Sequence, residues 1–390
     1  MRALVLNTND KSMSIQNIPD PKPGPKQILV RVRAVALNHV DYMNAVNPIA
    51  AQEERVVGSD FAGEVAQVGK DLANLGDPRT KIGARVSGFL QGANSVNDRT
   101  GAFAELLTVE YDLTWNIPDS ISFENAAGVS LCGVTAAQGV FQRLQLPSPF
   151  WEGDGFRPFQ LHEEEQVNVF IYGATSSVGL YAAQLVRLSE KISGKKIRLI
   201  GAARPSQHAR LYDAPYSYDL LVDYRDSHWP EMVRKAAGNE GVQYAIDAIS
   251  QGSTVEQTDS VIRPGGKFAI FRAPTAGGFD ITKLKTKPIF GAVWEALGVE
   301  VGYHGVNIPA NAEARAFAAA FYQYLGSGVE TQQIQLHPNP VRVMPGGLEQ
   351  IPKDGFALLS GSFKPQRQGL DERVSDLRPI TGEKIVYVVA

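Results

Sequence analysis

An apolar run that passes through a small-residue turn into an amphipathic helix limits the fold of this chain more than any other segment. The run covers residues 167–172, and the helical pattern of apolar residues covers 180–188. The turn between them reads Gly173-Ala174-Thr175-Ser176-Ser177-Val178-Gly179. A buried strand that is followed at once by a helix is the first half of a βαβ unit.

Apolar runs and helical patterns keep alternating beyond this turn. The alternation predicts a parallel sheet covered by helices, because a strand that is buried on both faces reads as a continuous apolar run. The predicted strands are 167–172, 197–202, 244–248 and 267–271, and the predicted helices are about 178–189 and 229–237.

The turn is suited to binding an anion. A helix N-terminus presents unpaired backbone N–H groups and a partial positive charge, and small residues let a pyrophosphate approach the backbone. The usual dinucleotide fingerprint has three glycines, whereas this turn has Gly173 and Gly179 around small residues. The turn alone therefore fits a plain strand-to-helix connection as well as it fits a dinucleotide site.

The end of the next predicted strand indicates which cofactor is bound. It reads Ala202-Ala203-Arg204-Pro205-Ser206, without the Asp or Glu that holds the ribose hydroxyls at an NAD site. Arg204 can pair with a 2′-phosphate, so the segment favours NADPH, and we predict Arg204 and Ser206 as cofactor residues. A solvated surface arginine is the alternative interpretation of Arg204.

The first 130 or so residues have a different character, with short strands between turns. The predicted strands there are 2–6, 27–36, 63–69, 85–89 and 103–109. Ser122 is a predicted N-cap for a helical stretch that runs from Phe123 through Gly139. A helix over 311–325 and a strand over 384–389 follow near the end, and this last strand need not belong to the nucleotide domain.

Composition narrows the class of protein. A length of 390 residues predicts two domains, and two polar segments, 146–165 and 363–378, read as solvated insertions. The net charge of -3, without a dense Lys/Arg stripe, argues against nucleic acid as a partner. Cys132 is the only cysteine, which excludes an intrachain disulfide and a Cys-rich zinc cluster. No apolar run reaches 18 residues, so we expect no membrane span and a soluble, cytoplasmic protein.

Short segments along nearly the whole chain resemble the medium-chain dehydrogenase/reductases, in the quinone-oxidoreductase and enoyl-reductase branch. These segments are 35–42, 57–65, 83–86, 101–105, 126–135, 173–179, 222–225 and 381–384. The resemblance implies a GroES-like, β-rich substrate domain from 1–130 and 310–390, and a Rossmann NADPH-binding domain from 131–309. The closing Gly-Glu-Lys-Ile-Val resembles fungal trans-acting enoyl reductases that serve polyketide synthases.

The resemblance also indicates whether this chain has the ligands of a catalytic zinc site. Zinc-dependent relatives place a Cys within the segment that here reads Asn38-His39-Val40-Asp41, and a Gly-His-Glu where this chain has Gly58-Ser59-Asp60. Both soft ligands are missing, and a tetrahedral catalytic site needs three protein ligands, commonly Cys and His. We therefore expect no metal, and we expect His39 to be a packing or hydrogen-bonding residue.

Without a metal, the resemblance implies hydride transfer from the nicotinamide to a carbon that conjugation already activates. It implies that Asn38 lies near the nicotinamide and Thr135 near its phosphates or amide. It also implies that Tyr224 lies beside the 2′-phosphate and that Lys384 lies near the cofactor. Tyr42 is the candidate proton donor, since a phenol can protonate an enolate or stabilise an oxyanion, and an aromatic wall residue is the alternative.

Three functions stay open at this point. The leading prediction is an NADPH-dependent enoyl reductase that acts in trans on a carrier-bound polyketide, with a synthase carrier domain as partner. The second is a free-standing quinone or small-enone reductase, and the third is a non-catalytic NADPH-binding structural or sensing protein. The protein can be a monomer or a homodimer, with residues 267–271 as an edge strand for pairing.

Overall fold

The computed structural model describes residues 1–48, 54–94, 96–151, 166–303, 306–360 and 376–389. The chain divides into two compact units, Met1–Leu131 with Trp294–Ala390 and Cys132–Val293. The predicted domain limits, 1–130 with 310–390 and 131–309, stay a prediction. Residues 152–165 and 363–375 of the two predicted insertions lie outside the described residues.

The strands and helices are as follows in chain order. The strands are β1 (Arg2–Asn7), β2 (Met13–Asn17), β3 (Gln27–Ala36), β4 (Glu54–Val56), β5 (Asp60–Val68), β6 (Arg85–Phe89), β7 (Leu106–Glu110), β8 (Thr114–Asn116), β9 (Gln166–Tyr172), β10 (Lys196–Ala202), β11 (Leu220–Val222), β12 (Val242–Asp247), β13 (Ile262–Ile270), β14 (Ile289–Phe290), β15 (Val301–Tyr303), β16 (Val306–Ile308), β17 (Val341–Met344) and β18 (Lys384–Val388). The α-helices are α1 (His39–Val46), α2 (Phe123–Ala127), α3 (Ser130–Ala137), α4 (Ser177–Ser193), α5 (His208–Tyr212), α6 (Trp229–Ala236), α7 (Ser253–Asp259), α8 (Pro274–Gly277), α9 (Ala312–Gly326) and α10 (Phe356–Leu359).

The second unit is built on a parallel sheet with the order β11-β10-β9-β12-β13-β14 among the described residues. The chain moves outward on one side of β9 and then on the other, which is the doubly wound Rossmann arrangement. The order reverses between β9 and β12, where Tyr172 pairs with Asp247. Ligands of open parallel sheets bind at this reversal point, outside the carboxyl ends of the strands.

The sequence of these strands explains their place in the centre of the sheet. Residues 167–172 of β9 and all of β12 are buried, as expected for strands with helices on both faces. Phe170 of β9 stacks on Trp229 of α6 with ring centroids 5.3 Å apart. Each fully buried large apolar side chain of this kind stabilises the fold by roughly 1.5–3 kcal/mol.

The first unit contains a mostly antiparallel sheet with the order β17-β18-β3-β5-β6-β8, and β7 also pairs with β3. A second sheet has the order β2-β1-β4, and β15 pairs with β16. The last strand joins the N-terminal part of the chain, because Val386 of β18 pairs with Ala36 of β3. Residues from the two ends of the chain therefore meet in one sheet.

The predicted fold class is confirmed: a β-rich module is followed by a doubly wound parallel sheet. The predicted N-cap is present, since the Ser122 hydroxyl accepts a hydrogen bond from the Asn125 N–H at 3.3 Å. The helical stretch from 123 to 139 is interrupted, because α2 ends at Ala127 and α3 begins at Ser130. Among the described residues no helix combines the length and apolar character that a bilayer crossing needs.

The predicted edge strand at 267–271 is wrong. Residues 267–270 belong to β13, which pairs with β12 on one side and, through Ala269 and Ile270, with β14 on the other. The two-residue strand β14 is too short and too weakly periodic to be recognised from sequence, and it removes β13 from the edge of the sheet.

Candidate functional site

The predicted cofactor turn lies between β9 and α4, and two glycines shape it. Gly173 has φ +74°, in the left-handed region that favours glycine. A Cβ on Gly179 would lie against the Gly173 carbonyl oxygen, well inside van der Waals contact. Ser176 is the N-cap of α4, and its hydroxyl accepts from the Gly179 N–H at 3.0 Å. The turn is therefore a tight backbone cradle at the N-terminus of a 17-residue helix.

The same turn is tied to the end of the neighbouring strand. The Ala174 N–H donates to the Ala202 carbonyl at 3.1 Å, and the Ala203 N–H donates to the Val222 carbonyl at 2.9 Å. These two hydrogen bonds link the carboxyl ends of β9, β10 and β11 to one another. The predicted cofactor residues that follow β10 and β11 are consequently anchored close to the turn.

Arg204 and Tyr224 meet at this strand end. The Arg204 Nε donates to the Tyr224 hydroxyl at 2.8 Å, and the Arg204 and Ser206 side chains are exposed. Tyr224 is half-buried, with its ring 6.2 Å from the ring of Tyr172. An exposed guanidinium beside a phenol can offer several N–H and O–H donors to a phosphate.

Sequence reasoning missed Asp247, the last residue of β12. It has no exposed surface, and its carboxylate accepts from the Ile249 and Ser250 N–H groups and from the Thr254 hydroxyl, at 2.9, 2.8 and 2.6 Å. Burial raises the pKa of Asp247. The residue shapes the loop after β12, and the available signal was an acid at the carboxyl end of a predicted buried strand.

In the first unit, Asn38, Asp60 and Lys384 form a buried polar cluster. The Lys384 ammonium, on a residue that is 4% exposed, donates to Asn38 Oδ1 at 2.6 Å and to Asp60 Oδ2 at 3.1 Å. Asn38 Nδ2 donates to the same Asp60 oxygen at 2.9 Å. The other Asp60 oxygen accepts from the Leu131 N–H at 2.8 Å. Sequence reasoning named Asn38 and Lys384 separately, and the fold brings them together around Asp60.

Asp41 forms the second layer of this cluster. Its carboxylate accepts from the Asn38 N–H at 2.7 Å and from the Ser59 hydroxyl at 2.6 Å. Burial raises the pKa of Asp41 from 3.8 to about 7, although both hydrogen bonds act in the opposite direction. Asp41 therefore fixes the backbone at the start of α1, where Asn38 is the N-cap.

Tyr42 lies on α1, half-buried, one helical turn beyond Asn38. Its ring is 6.1 Å from the ring of Phe356 in an edge-on arrangement and 6.3 Å from the ring of His39. A phenol with an aromatic neighbour and partial exposure fits both of its sequence interpretations, the proton donor and the wall residue. His39 is exposed.

Thr135 belongs to the second unit and lies on α3, which begins at the boundary between the two units. It is 7% exposed, as is Cys132 in the preceding turn of the helix. Both side chains are thus largely buried, and the role of Thr135 beside a cofactor stays a prediction.

The two segments that carry zinc ligands in metal-dependent relatives contain other residue types in this chain. Asn38 and Asp60 come from those two segments, and the Lys384 ammonium lies between them. Over the part of the chain that the structure describes, no group of three or more His, Cys, Asp or Glu side chains has the spacing of a metal site.

The comparisons with known proteins agree on one family for this chain. Residues 24–119 match the alcohol dehydrogenase GroES-like domain. The chain is 30% identical over 362 residues to the enoyl reductase cheB of Chaetomium globosum, covering 92% of this chain and 90% of that protein. It is also 30% identical over 353 residues to the trans-enoyl reductase ACTTS2 of Alternaria alternata, covering 90% and 93%.

A solved structure shows the same fold at lower identity. The mycobacterial protein Rv1454c complexed with NADPH has a TM-score of 0.64 and 17% identity, and the match covers 100% of both chains. At this identity the likeness concerns the fold alone.

Proposed function

The chain belongs to the medium-chain dehydrogenase/reductase family, among the trans-enoyl reductases, and we propose that it uses NADPH to reduce a carrier-bound enoyl thioester in polyketide biosynthesis. The family makes the chain an oxidoreductase. The choice of an enoyl thioester rests on the relatives whose names contain enoyl reductase. The choice of NADPH rests on the residues at the end of β10.

The observation that carries the cofactor proposal is the Arg204–Tyr224 contact beside the glycine cradle. The cradle can be this tight because Gly179 carries no Cβ against the Gly173 carbonyl oxygen, and α4 presents its N-terminus there. No carboxylate follows β10 directly, whereas Arg204 does. A guanidinium and a phenol can donate charge-assisted and neutral hydrogen bonds to a 2′-phosphate, whereas a 2′-hydroxyl carries no charge for the guanidinium to pair with.

The residues that we propose for the cofactor are those of the turn and of the strand ends, with Thr135 and Lys384 carried over from the family. They are Thr135, Gly173, Ala174, Thr175, Ser176, Ser177, Val178, Gly179, Arg204, Ser206, Tyr224 and Lys384. Bound NADPH supplies the hydride. The protein orients the acceptor, excludes water and stabilises the enolate oxygen.

We propose Asn38 and Tyr42 as the catalytic residues. The carboxamide of Asn38 is held by Lys384 and Asp60, so it can orient a neighbouring polar group without rearranging. The hydroxyl of Tyr42 can donate a proton to the enolate, which leaves the saturated product after hydride addition. No metal takes part in this scheme.

The reaction is tested with purified protein, NADPH and a panel of enoyl thioesters, with a simple quinone as the comparison. We expect oxidation of NADPH with the thioesters and much slower oxidation with the quinone. Inactivity on every thioester would remove the proposal, and activity on the quinone alone would replace it by a quinone reductase. Binding of NADPH without turnover on any acceptor would indicate a non-catalytic protein.

The role of Tyr42 is tested with Tyr42→Phe. General acid catalysis contributes typically about 10²–10⁴-fold, so we expect kcat to fall by at least about 100-fold with the NADPH affinity unchanged. Tyr111→Phe is the matched control, since Tyr111 is a half-buried phenol of the same unit that contacts Arg79. Full turnover by Tyr42→Phe would make Tyr42 an aromatic wall residue.

A further inference from the structure

Asp60 has no exposed surface and lies at the first position of β5. Its carboxylate accepts hydrogen bonds from Asn38 Nδ2, Lys384 Nζ and the Leu131 N–H, at 2.9, 3.1 and 2.8 Å. These donors come from three distant parts of the chain. Hydrogen bonds to an ionised group are roughly twice as strong as neutral ones, so this carboxylate is held firmly in one position.

The neighbours of Asn38 decide which way its carboxamide points. A carboxamide can turn by 180° with little change of shape, but its oxygen only accepts and its nitrogen only donates. The Lys384 ammonium only donates, and it faces Asn38 Oδ1 at 2.6 Å. The Asp60 carboxylate only accepts, and it faces Asn38 Nδ2. The turned carboxamide would set donor against donor and acceptor against acceptor, so a single orientation is stable.

We infer that Asp60 is a positioning residue for Asn38, because it fixes the Asn38 carboxamide through Nδ2 and balances the charge of the Lys384 ammonium that holds Oδ1. The inference rests on the proposed reductase function, in which Asn38 lies beside the nicotinamide. Asp60 is fully enclosed and acts through Asn38, not on the substrate. Ser59 and Asp41 complete the arrangement, since they hold the Asn38 backbone through the Asp41 carboxylate.

A purely structural role for Asp60 would be charge balance for Lys384 alone. The two roles differ in what a neutral pair would do. Removal of one member of a buried ion pair is strongly destabilising, whereas replacement of both by neutral side chains is often neutral for stability. The orientation of Asn38, however, depends on a donor on one side and an acceptor on the other, and it is not restored by neutralising the pair.

The experiment compares Asp60→Asn, Lys384→Met and the double variant D60N/K384M with the wild type. It measures kcat on an enoyl thioester at saturating NADPH, the Kd for NADPH and the Tm. We expect Asp60→Asn to lower kcat by about 100-fold, because a displaced group at a reacting centre costs about that much. For Asp60→Asn alone, we expect the Kd for NADPH to change by less than about threefold. The double variant should regain the Tm of the wild type but not its kcat.

Asp77→Asn is the matched control. It breaks the Asp77–Arg79 ion pair of the same unit, in which the side chains are 21% and 9% exposed and the charged atoms are 2.6 Å apart. It should lower the Tm and leave kcat unchanged. Recovery of kcat together with the Tm in the double variant would reduce Asp60 to charge balance and overturn the inference, as would full kcat in Asp60→Asn.

A second readout separates this inference from the proposed function. If the wild type reduces no thioester, the proposed function fails, and the orientation of Asn38 is tested by NMR. The carboxamide ¹H–¹⁵N signals of Asn38, identified by their loss in Asn38→Ala, should move upfield in Asp60→Asn, because one N–H loses a charged acceptor. Unchanged signals would contradict the positioning of Asn38 by Asp60.

Discussion

The Gly173–Gly179 turn of the second unit and the Asn38–Asp60–Lys384 cluster of the first unit present polar groups in opposite ways. The turn consists of consecutive residues, and what it offers is the backbone at the start of α4. The cluster consists of side chains, and Asn38 and Lys384 are 346 positions apart in the sequence. The turn depends on the absence of a Cβ, whereas the cluster depends on the presence of particular charges.

This difference determines how each region responds to substitution. Backbone N–H groups are present whatever the side chains are, so a cradle is lost mainly through steric conflict. Side-chain charges that are buried together stabilise only as a set, because each one is costly to bury without its partner. We therefore expect the cluster to be sensitive in stability and the turn to be sensitive in cofactor affinity.

The largest effect is expected from Lys384→Met. It leaves the enclosed Asp60 without its cation, and breaking a buried pair typically costs about 3–5 kcal/mol. Lys384→Arg keeps the charge and should cost much less. Urea unfolding of the two variants measures the difference in unfolding free energy. A loss of less than about 1 kcal/mol in Lys384→Met is the range of an exposed ion pair, and it would contradict the expected sensitivity of the cluster.

The next effect is expected from Gly179→Ala. The new Cβ meets the Gly173 carbonyl oxygen, so the cradle must open, and we expect the Kd for NADPH to rise by about 100-fold, which is roughly 2.7 kcal/mol. Gly194→Ala is the control at the other end of α4, where φ is +65° and a Cβ meets nothing within 4 Å. The control should lose about 1 kcal/mol of stability and keep its affinity. Equal Kd values for Gly179→Ala and the wild type would refute the cradle.

A smaller effect is expected from Arg204→Ala. Loss of an exposed guanidinium beside a 2′-phosphate should weaken NADPH binding by about tenfold and leave NADH binding unchanged. Arg198→Ala changes an arginine nearer the amino end of β10 and should affect neither cofactor. Calorimetric titration with both cofactors measures the ratio. Equal losses of affinity for NADPH and for NADH would show that Arg204 does not bind the 2′-phosphate.

The smallest effect concerns pH. The pKa of Asp41 is about 7 in the folded chain and 3.8 for an unperturbed Asp, so the folded state binds this proton more tightly. Its contribution to stability is fully present below pH 3.8 and is lost as the pH rises through 7. Asp41→Asn should therefore reduce the fall in unfolding free energy between pH 5 and pH 8, by an amount on the order of 1 kcal/mol.

Asp119→Asn is the control for this pH effect, since the Asp119 side chain is 84% exposed. Its pH dependence should match that of the wild type. An unchanged slope in Asp41→Asn would mean that Asp41 is ionised in the folded chain over this range.

The second unit was largely predictable from the sequence. Most residues of β9 and β10 are buried, so these two strands appear as apolar runs, and their predicted and observed bounds differ by one residue at most. The turn follows β9 directly, which makes the predicted cofactor region a local pattern. The exceptions include the short strands β11 and β14, which the sequence did not predict, and β13, which begins at Ile262 although the predicted strand begins at residue 267.

The cluster of the first unit was predictable only in part. Asn38 and Lys384 were named through a family resemblance, but their contact depends on the pairing of β18 with β3, which is a long-range feature of the sheet. In the sequence, Asp60 stands out only because it lies in the segment where zinc-dependent relatives have Gly-His-Glu. The predicted strand 63–69 begins after Asp60, whereas β5 begins at Asp60 itself. Burial of a charge cannot be read from residue type, because its partners come from elsewhere in the chain.

Hydride transfer to an enoyl thioester is the central claim, and isotope transfer tests it most directly. The wild-type protein is incubated with an enoyl thioester and NADPH that carries deuterium at the transferable position of the nicotinamide, and the product is analysed by mass spectrometry. We predict a saturated thioester that contains one deuterium on the carbon that accepted the hydride. An unchanged thioester, or a saturated product without deuterium from either face of the nicotinamide, would contradict this account.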